Sequence, residues 1–267
     1  MTARTRSLAC LLGIPILLFG SAAGARAQDD GSELSLFRPY GDFRLRLEQD
    51  WDSRKGDGTG HDDRLRLRFR IRLGLDLNIS EHWHARVQLR SGPHDSQQSP
   101  HITIYDFDGG PNGPYQFNFD YWYLSFRTGG LEVWAGRNQL SFWHQDDLFL
   151  IDNVTFAGVG GSYSHPMAGG EMTWHANYVA LPVGMRDFSG TSLIAQAEFS
   201  REFSSTGFSV AATYFGSRAD LDDPAGEPLL TENNTRDYDV LNLQLQHRST
   251  VLGRPLRLGA EYGRNVR

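Results

Sequence analysis

Five arginines occupy every second position from 64 to 72, in the run RLRLRFRIR. The guanidinium group is planar and permanently charged, and it binds carboxylates and phosphates through forked pairs of hydrogen bonds. Side chains two residues apart lie on the same face of a β-strand, whereas a helix would distribute them around its circumference. The spacing therefore predicts a strand with one strongly basic face.

Two nearby segments repeat this pattern. Arginine alternates with apolar residues in GDFRLRLEQ, which begins at Gly41, and in HWHARVQLR, which begins at His82. If the three strands are neighbours in a sheet, their arginines form a single basic face. In a water-filled channel such a face lowers the energetic barrier for anions. The residues predicted to line this path are Arg44, Arg46, Arg64, Arg66, Arg68, Arg70, Arg72, Arg86 and Arg90.

The basic face has a second interpretation, in which its charges are balanced within the protein. Acidic side chains on the same faces would then neutralise the arginines in a charge ladder. The acids available for this are Glu48, Asp76, Glu198 and Glu261. Both interpretations are compatible if arginines at one depth of the channel are neutralised while arginines at another depth are not. An arginine-rich nucleic-acid motif is a third interpretation, which the strict apolar alternation and the acidic net charge disfavour.

The apolar residues between the arginines indicate what kind of strand this is. Every odd position from Leu65 to Leu77 is apolar, so the alternation is unbroken over the fourteen residues from Arg64. Strands of soluble domains usually have about five or six residues. A tilted strand needs about nine to eleven residues to cross a bilayer, and it directs apolar side chains to lipid and polar ones to a lumen. The length favours a membrane-spanning strand.

The first 27 residues have the pattern of a secretory signal peptide. Arg4 and Arg6 precede an apolar run over residues 8–19, and Ala25-Arg26-Ala27 fits a cleavage site. This apolar run is too short to span a membrane as a helix. We therefore expect residues 1–27 to be removed, residues 28–39 to form a periplasmic leader, and residues 40–267 to form a transmembrane domain.

Composition narrows the class of protein further. The only cysteine, Cys10, lies within the predicted signal, so the exported chain has no disulfide, thiolate metal site or cysteine nucleophile. Removal of the signal leaves 23 basic and 32 acidic residues, a net charge of −9. No other segment approaches the roughly 18 consecutive apolar residues that a transmembrane helix requires. A membrane protein of this composition must therefore be a β-barrel.

Strands and links alternate regularly along the rest of the chain. The pattern predicts about eleven strands, joined alternately by short turns and longer polar links, as in outer-membrane barrels. Residues 91–114 and 182–190 are expected to be loops, and residues 131–143 a strand. The expected fold class is an all-β transmembrane antiparallel β-barrel of the outer-membrane type. Such barrels usually have an even number of strands and a terminal aromatic residue, which this sequence lacks. Either one strand escapes the count or the barrel continues beyond residue 267, and we expect the second.

Three glycines, at positions 158, 160 and 161, interrupt a predicted strand over residues 154–165. Glycine within a strand marks a bend or the close approach of another segment. We therefore expect one of these features at this strand.

Several segments together resemble the outer-membrane porin families of Gram-negative bacteria, including the alginate-export-like barrels. They are residues 41–49, residues 64–92, residues 119–143 and residues 152–163. The tripeptide Ala135-Gly136-Arg137 and the run DNVTFAGV, which begins at Asp152, look most like the Putative porin group. The resemblance covers residues 40–165, and its motifs identify a family and not a substrate.

Other polar residues are of the types that bind metals or act in catalysis. His82 and His84 share a strand face and could chelate a metal, although lumen-facing polar side chains are the favoured interpretation. A loop lacks the D-x-D-x-D-G spacing of a calcium site, despite containing His144, Asp146, Asp147 and Asp152. Ser164 and His165 are strand neighbours that point to opposite faces, outside any G-x-S-x-G motif. We predict no metal, cofactor or catalytic residue.

The resemblance and the basic face together imply a function. We expect a porin or export channel in the bacterial outer membrane, surrounded by lipid, for passive diffusion of small or polymeric hydrophilic solutes, with anionic solutes as its partners. No interaction with nucleic acid is expected. One alternative is an outer-membrane barrel enzyme that acts on lipid or acyl groups, and another is a soluble exported β-protein.

Overall fold

The computed structural model describes residues 36–52, 59–60, 62–97, 99–110, 112–145, 154–220, 222 and 237–267. The predicted signal peptide and residues 28–35 of the predicted leader lie outside these ranges. Within them, no helix has the length and apolar character needed to cross a membrane. The strands are β1 (Phe37–Asp50), β2 (Arg64–Asn78), β3 (Trp83–Ser91), β4 (Ile102–Asp106), β5 (Phe117–Thr128), β6 (Leu131–Asn138), β7 (Phe156–Met167), β8 (Gly170–Val183), β9 (Asp187–Glu202), β10 (Thr206–Arg218), β11 (Asp237–Val251) and β12 (Arg254–Asn265).

A single antiparallel sheet of 12 strands contains all of these elements, which confirms the predicted all-β class. Its order is β1-β2-β3-β5-β6-β7-β8-β9-β10-β11-β12, and β4 pairs with the first half of β2, beyond the end of β3. Among the strands of the described ranges, β1 and β12 form the two edges, and the sheet is open between them. Because directions alternate along this order, β1 and β12 run the same way.

The two faces of the sheet have opposite polarity, and the apolar face is the exposed one. In β11, Leu241, Leu243 and Leu245 are exposed, whereas Asn242 and Gln244 between them are buried. We call the face of Asn242 the inner face and the face of Leu241 the outer face. Further exposed residues of the outer face are Phe43, Leu45, Leu47, Val87, Leu89, Phe117, Phe119, Trp122, Leu124, Tyr178 and Leu193. This arrangement inverts that of a soluble domain and is typical of strands whose outer face contacts lipid.

Short turns lie at one end of the sheet, as the alternation of link lengths predicted. They join β2 to β3, β5 to β6, β7 to β8, β9 to β10 and β11 to β12. At the opposite end of the sheet, where long links were expected, the link between β8 and β9 is short. The loop predicted over residues 182–190 is wrong, because β8 continues to Val183 and β9 begins at Asp187. Gly184, with a φ of 77°, allows the tight turn between them.

Three other boundaries differ from the sequence prediction. The predicted loop over residues 91–114 contains the short strand β4. Its sequence did not predict a strand because proline-containing segments flank it on both sides. The strand predicted over residues 131–143 ends at Asn138, because the chain then leaves the sheet and crosses its inner face. β1 begins at Phe37, three residues before the predicted start of the domain at residue 40.

A small apolar cluster lies on the inner face. It consists of Trp134, Phe156, Val179 and Ile194, with Tyr123, Leu140, Val154 and Phe215 packed against it. Gly160 lies directly beneath the Trp134 ring. A Cβ at Gly160 would lie 2.8 Å from that ring and would also collide with the Asn177 side chain. Trp134 is the register partner of Gly160 on the neighbouring strand β6, so the missing Cβ leaves room for a cross-strand ring. The bend or approach of another segment at this strand stays a prediction.

Candidate functional site

Three neighbouring strands bring the predicted arginines together on the inner face. β1 pairs with β2 in a register that places Arg44 opposite Arg70 and Arg46 opposite Arg68. β3 follows on the other side of β2 and adds Arg86 and Arg90. We call the inner face of β1, β2 and β3 the arginine face. Like charges that lie directly opposite on paired strands repel each other, so this register requires negative charge nearby.

Carboxylates of β1 supply part of that charge. Glu48 lies 2.6 Å from Arg66 and 2.9 Å from Arg68, and it also contacts Arg46. Asp50 lies 2.6 Å from the same Arg66 guanidinium and 3.6 Å from Arg64. One carboxylate thus bridges three arginines, and Arg66 contacts two carboxylates.

Two further carboxylates each contact one arginine. Asp42 accepts two hydrogen bonds from Arg70, of 2.9 and 2.5 Å. Asp76 accepts two from Arg86, of 2.5 and 3.1 Å. The Arg86–Asp76 contact is the forked pair, with two donors on two oxygens, whereas both Arg70 bonds converge on Asp42 Oδ1.

The acids that balance the arginine face are only partly those predicted. Glu48 and Asp76 do contact arginines, whereas Glu198 lies 3.6 Å from His175 and Glu261 accepts a hydrogen bond from Asn242. β9 and β12, which carry Glu198 and Glu261, are too far along the sheet to reach β1, β2 and β3. Sequence alternation assigns side chains to a face but does not order the strands within a sheet.

The arginine face keeps an excess of positive charge. The nine predicted arginines and Arg38, which lies opposite Asp76, make ten arginines on this face. They are accompanied by six carboxylates on the same strands or on the neighbouring β4 and β5, those of Asp42, Glu48, Asp50, Asp76, Asp106 and Asp120. Arg44 is exposed and has no acidic partner within ion-pair distance among the described residues. The charge ladder therefore balances part of the face and leaves a net positive charge at Arg44.

Arg90 differs from the other arginines because its side chain has 0% exposure. It donates hydrogen bonds to the backbone oxygens of Ser96 at 3.3 Å and Gln97 at 2.9 Å, and it lies 2.8 Å from the Met185 sulfur. Asp120 lies 3.9 Å away. Arg90 thus attaches the link between β3 and β4 to the β8–β9 turn.

Arg137 of β6 joins the same cluster. Gly136 before it has a φ of 125°, a conformation that favours glycine, and the Arg137 side chain is buried. Its Nε donates to Thr155 Oγ1 at 2.8 Å, and its Nη1 donates to the Met185 carbonyl. Gln97 exchanges two hydrogen bonds with the Thr155 backbone, of 2.8 and 3.1 Å. We call the following residues the buried arginine cluster: Arg90, Gln97, Arg137, Thr155 and Met185.

The sequence did not predict this cluster. The alternation of β3 placed Arg90 on the inner face but predicted a lumen-lining side chain and not a buried one. The tripeptide Ala135-Gly136-Arg137 carries a resemblance to a family and does not by itself indicate a structural site. The cluster joins three links that are far apart in sequence, so no local spacing could reveal it.

Residues 139–145, which we call the crossing segment, run over the inner face. The Ser141 N–H donates to Asn177 Oδ1, and Asn177 Nδ2 donates to the Ser141 carbonyl, both at 3.0 Å. Gln196 forms the same pair of bonds with Trp143, both at 2.7 Å. Each carboxamide offers one donor and one acceptor, as a neighbouring strand would. The crossing segment is therefore fixed by side chains of the sheet.

The crossing segment continues from β8 over β9 to β11, where the Gln145 N–H donates to Gln244 Oε1 at 3.1 Å. It thus runs across the strands and not along them. Leu140 within it packs against the apolar cluster of the inner face. The crossing segment covers this part of the inner face and leaves the arginine face beside it.

His101 ends the link between β3 and β4 and lies outside the strands. Arg68 donates a hydrogen bond to its carbonyl at 3.1 Å. Burial, reinforced by the guanidinium groups of Arg46 and Arg68, lowers the pKa of the His101 imidazole to about 3. The ring is therefore neutral at physiological pH and adds no charge to the arginine face.

Comparison with known families identifies the chain's relatives. Residues 58–206, more than half of the chain, match the model of the family described as "Putative porin". The chain belongs to the Putative porin family. Its membership and its all-β fold indicate a membrane-embedded, porin-type channel. A comparison with curated proteins finds no match.

The family match has a boundary that bears on the arginine face of this porin. It includes β2, β3 and the whole buried arginine cluster, but it excludes β1. Arg44, Arg46 and Glu48 are therefore outside the matched residues. The relation to alginate-export-like barrels stays a prediction.

The histidines proposed as chelators have other neighbours in this porin. His82 Nδ1 lies 3.0 Å from the Arg127 carbonyl, and His84 Nδ1 lies 3.0 Å from Asn78 Oδ1. In the described part of the chain, no three histidine, cysteine or acidic side chains group as metal ligands. The acidic residues of the considered calcium loop, Asp146, Asp147 and Asp152, lie outside the described residues.

Ser164 and His165, considered for the alternative enzyme, contact different partners. The Ser164 hydroxyl lies 2.8 Å from the Thr173 hydroxyl, and the His165 ring stacks on Tyr163 with ring centroids 5.5 Å apart. This geometry gives Ser164 a hydroxyl partner and not the general base that a serine nucleophile requires.

Proposed function

We propose that this porin is an outer-membrane channel for passive diffusion of hydrophilic solutes, with a preference for anions. The observation that carries the preference is the excess of ten arginines over six carboxylates on and beside the arginine face. Charged rings and walls of one sign select ions of the opposite sign. The preference therefore depends on arginines that are not neutralised by neighbours, of which Arg44 is the best candidate.

The polarity of the two faces and the predicted signal peptide support a location in the outer membrane. An apolar outer face and a polar inner face suit a lipid-surrounded barrel with a water-filled lumen. The predicted signal peptide over residues 1–27 directs export, and exported β-barrels of this type insert into the bacterial outer membrane. We propose a Gram-negative outer membrane as the location, with a periplasmic leader after the signal peptide and a barrel-forming part that begins with β1 at Phe37.

Reconstitution in planar bilayers tests the proposal. In a KCl gradient, the wild-type channel is expected to give a reversal potential of the sign that anion preference predicts. The variant Arg44→Glu is expected to reduce or invert it. Arg264→Glu is the matched control, because Arg264 pairs with Leu241 and lies on the outer face. Absence of channels, or an unchanged reversal potential in Arg44→Glu, would contradict the proposal.

We further propose that the channel has no catalytic activity, since Ser164 contacts Thr173 and His165 stacks elsewhere. An assay of lipid deacylation on the refolded protein tests this point. No hydrolysis above background is expected, and a Ser164→Ala variant should match wild type. Hydrolysis that disappears in Ser164→Ala would support the enzyme instead.

A further inference from the structure

We propose that the arginine face holds a binding site for an oxyanion, a carboxylate, sulfate or phosphate group, formed by Arg44, Arg46, Arg68 and His101. The site lies within the channel and so rests on the proposed function. It is narrower than a general preference for anions, because it assigns one location and one class of ligand group.

The first argument is the local charge. Arg44 and Arg46 of β1 lie opposite Arg70 and Arg68 of β2, so two like-charged pairs are adjacent. Asp42 is already engaged in two hydrogen bonds with Arg70. Such a register is unfavourable without further negative charge, and a bound anion would supply it.

Glu48, the other carboxylate nearby, is also fully engaged. It contacts Arg46, Arg66 and Arg68 together. One carboxylate cannot neutralise three guanidinium groups, and Arg44 receives none of its charge among the described contacts. The positive charge that remains is concentrated between Arg44 and Arg46.

The second argument comes from polar atoms that lack partners. His101 is 9% exposed, and its Nε2 is buried without a hydrogen-bond partner among the described residues. The Nε atoms of Arg46 and Arg68 are buried in the same unpaired state, as are those of Arg64 and Arg66, so His101 Nε2 is the atom that distinguishes this location. Unpaired buried polar atoms are uncommon in folded proteins, and each requires an explanation.

These unpaired atoms belong to residues that are adjacent. Arg46 and Arg68 are cross-strand partners, and Arg68 donates a hydrogen bond to the His101 carbonyl at 3.1 Å. A guanidinium Nε is always a donor, and the neutral His101 ring is one when Nε2 carries its proton. An oxyanion offers several acceptor oxygens at once, whereas a neutral hydroxyl compound would leave the excess charge unbalanced.

The exposure of these side chains provides a route to the site. Arg44 is exposed, and the Arg46 side chain is 37% exposed, while that of Arg68 is only 13% exposed. An anion in the lumen would thus meet Arg44 and Arg46 first and then reach Arg68 and His101 behind them. The ligand comes from solution, because the site is on the face opposite the lipid.

Calorimetric titration of sodium sulfate into the refolded full chain in detergent tests the site. Constant ionic strength, maintained with sodium chloride, separates a specific site from general screening. Saturable binding of sulfate to wild type is expected. Arg44→Gln and Arg46→Lys are expected to weaken it at least tenfold, the second because lysine keeps the charge but loses the planar fork.

Arg264→Gln is the control, since it removes one positive charge from the outer face. It should bind sulfate as wild type does. Arg44→Gln, at an exposed position without an acidic partner, keeps the test valid if Arg46→Lys does not refold. Absence of saturable sulfate binding by wild type, or unchanged binding by Arg44→Gln, would overturn the site.

The two proposals fail separately. Anion-selective channels without saturable sulfate binding would refute the oxyanion site and retain the proposed function. Sulfate binding by a protein that forms no channels would refute the channel and retain an oxyanion site on this face.

Discussion

The carboxamide of Asn177 binds both backbone groups of Ser141. It accepts a hydrogen bond from the Ser141 N–H and donates one to the Ser141 carbonyl, both at 3.0 Å. The side chain of a strand residue thus takes the place of a neighbouring strand, and this holds the crossing segment against the inner face.

Asn177→Ala should release part of the crossing segment. Loss of both hydrogen bonds leaves two backbone groups unpaired, which costs about 1–3 kcal/mol. We expect faster cleavage by a protease within residues 139–145 and noisier single-channel current. Gln246→Ala is the control. Gln246 of β11 is also buried on the inner face, but among the described hydrogen bonds it forms none with the crossing segment. Equal cleavage rates in the two variants would contradict this role.

Arg66 and Arg44 should differ in their effect on stability. Arg66→Gln removes a group that lies 2.6 Å from both Glu48 and Asp50, so we expect a loss of about 1–3 kcal/mol in the free energy of unfolding. Arg44→Gln, at an exposed site without an acidic partner, should change it by less than about 0.5 kcal/mol. Urea unfolding in detergent measures both. A larger loss for Arg44→Gln would mean that its positive charge is neutralised in the folded protein.

Arg90→Met should be the most destabilising change on the arginine face. The variant leaves the carbonyls of Ser96 and Gln97 without their donor, in a completely buried position. Breaking a buried charged contact costs about 3–5 kcal/mol. Arg257→Met at the exposed β12 edge is the control for the change of residue type. Heat-dependent mobility on gels reports the folded fraction, and similar behaviour of the two variants would rule out a structural role for Arg90.

Gly160→Ala should destabilise the inner face by overpacking. The new Cβ would lie 2.8 Å from the Trp134 ring, and strain of this kind costs about 1–3 kcal/mol. Gly113→Ala is the matched control, since no atom lies within 4 Å of a Cβ placed there. The unfolding midpoint in urea should fall for Gly160→Ala alone. A midpoint equal to that of wild type would show that the Trp134 ring moves aside.

His101 should make the stability of the protein depend on pH. Burial and the guanidinium groups of Arg44, Arg46, Arg68 and Arg70 hold its pKa at about 3, below the value of about 6.5 in an unfolded chain. The unfolded chain therefore takes up the proton first, and the contribution of His101 decreases as the pH falls below about 6.5.

Comparison with His101→Gln measures this contribution. Between pH 7 and pH 4.5, the wild-type free energy of unfolding should decrease more than that of the variant, which lacks a titrating group at this position. Identical pH profiles would show that the His101 imidazole protonates freely in the folded state.

The sequence by itself determined the class of the fold and the faces of its strands. Alternation with a period of two is a local property, so the run from Leu65 to Leu77 was sufficient to predict an apolar face and an arginine face. The sorting of short turns to one end also followed from the chain alone, because antiparallel neighbours return the chain to the same end.

Only the tertiary structure decided which charges meet and which segments cover the inner face. Glu198 and Glu261 share the inner face with the arginines, but the strand order keeps them away and brings Asp42 and Asp50 close instead. Arg90 occupies the same face of β3 as Arg86, yet its side chain is buried by the link between β3 and β4 and by Met185 of the β8–β9 turn. The physical reason is that alternation specifies the direction of a side chain, whereas its neutralisation and burial depend on partners from other parts of the chain.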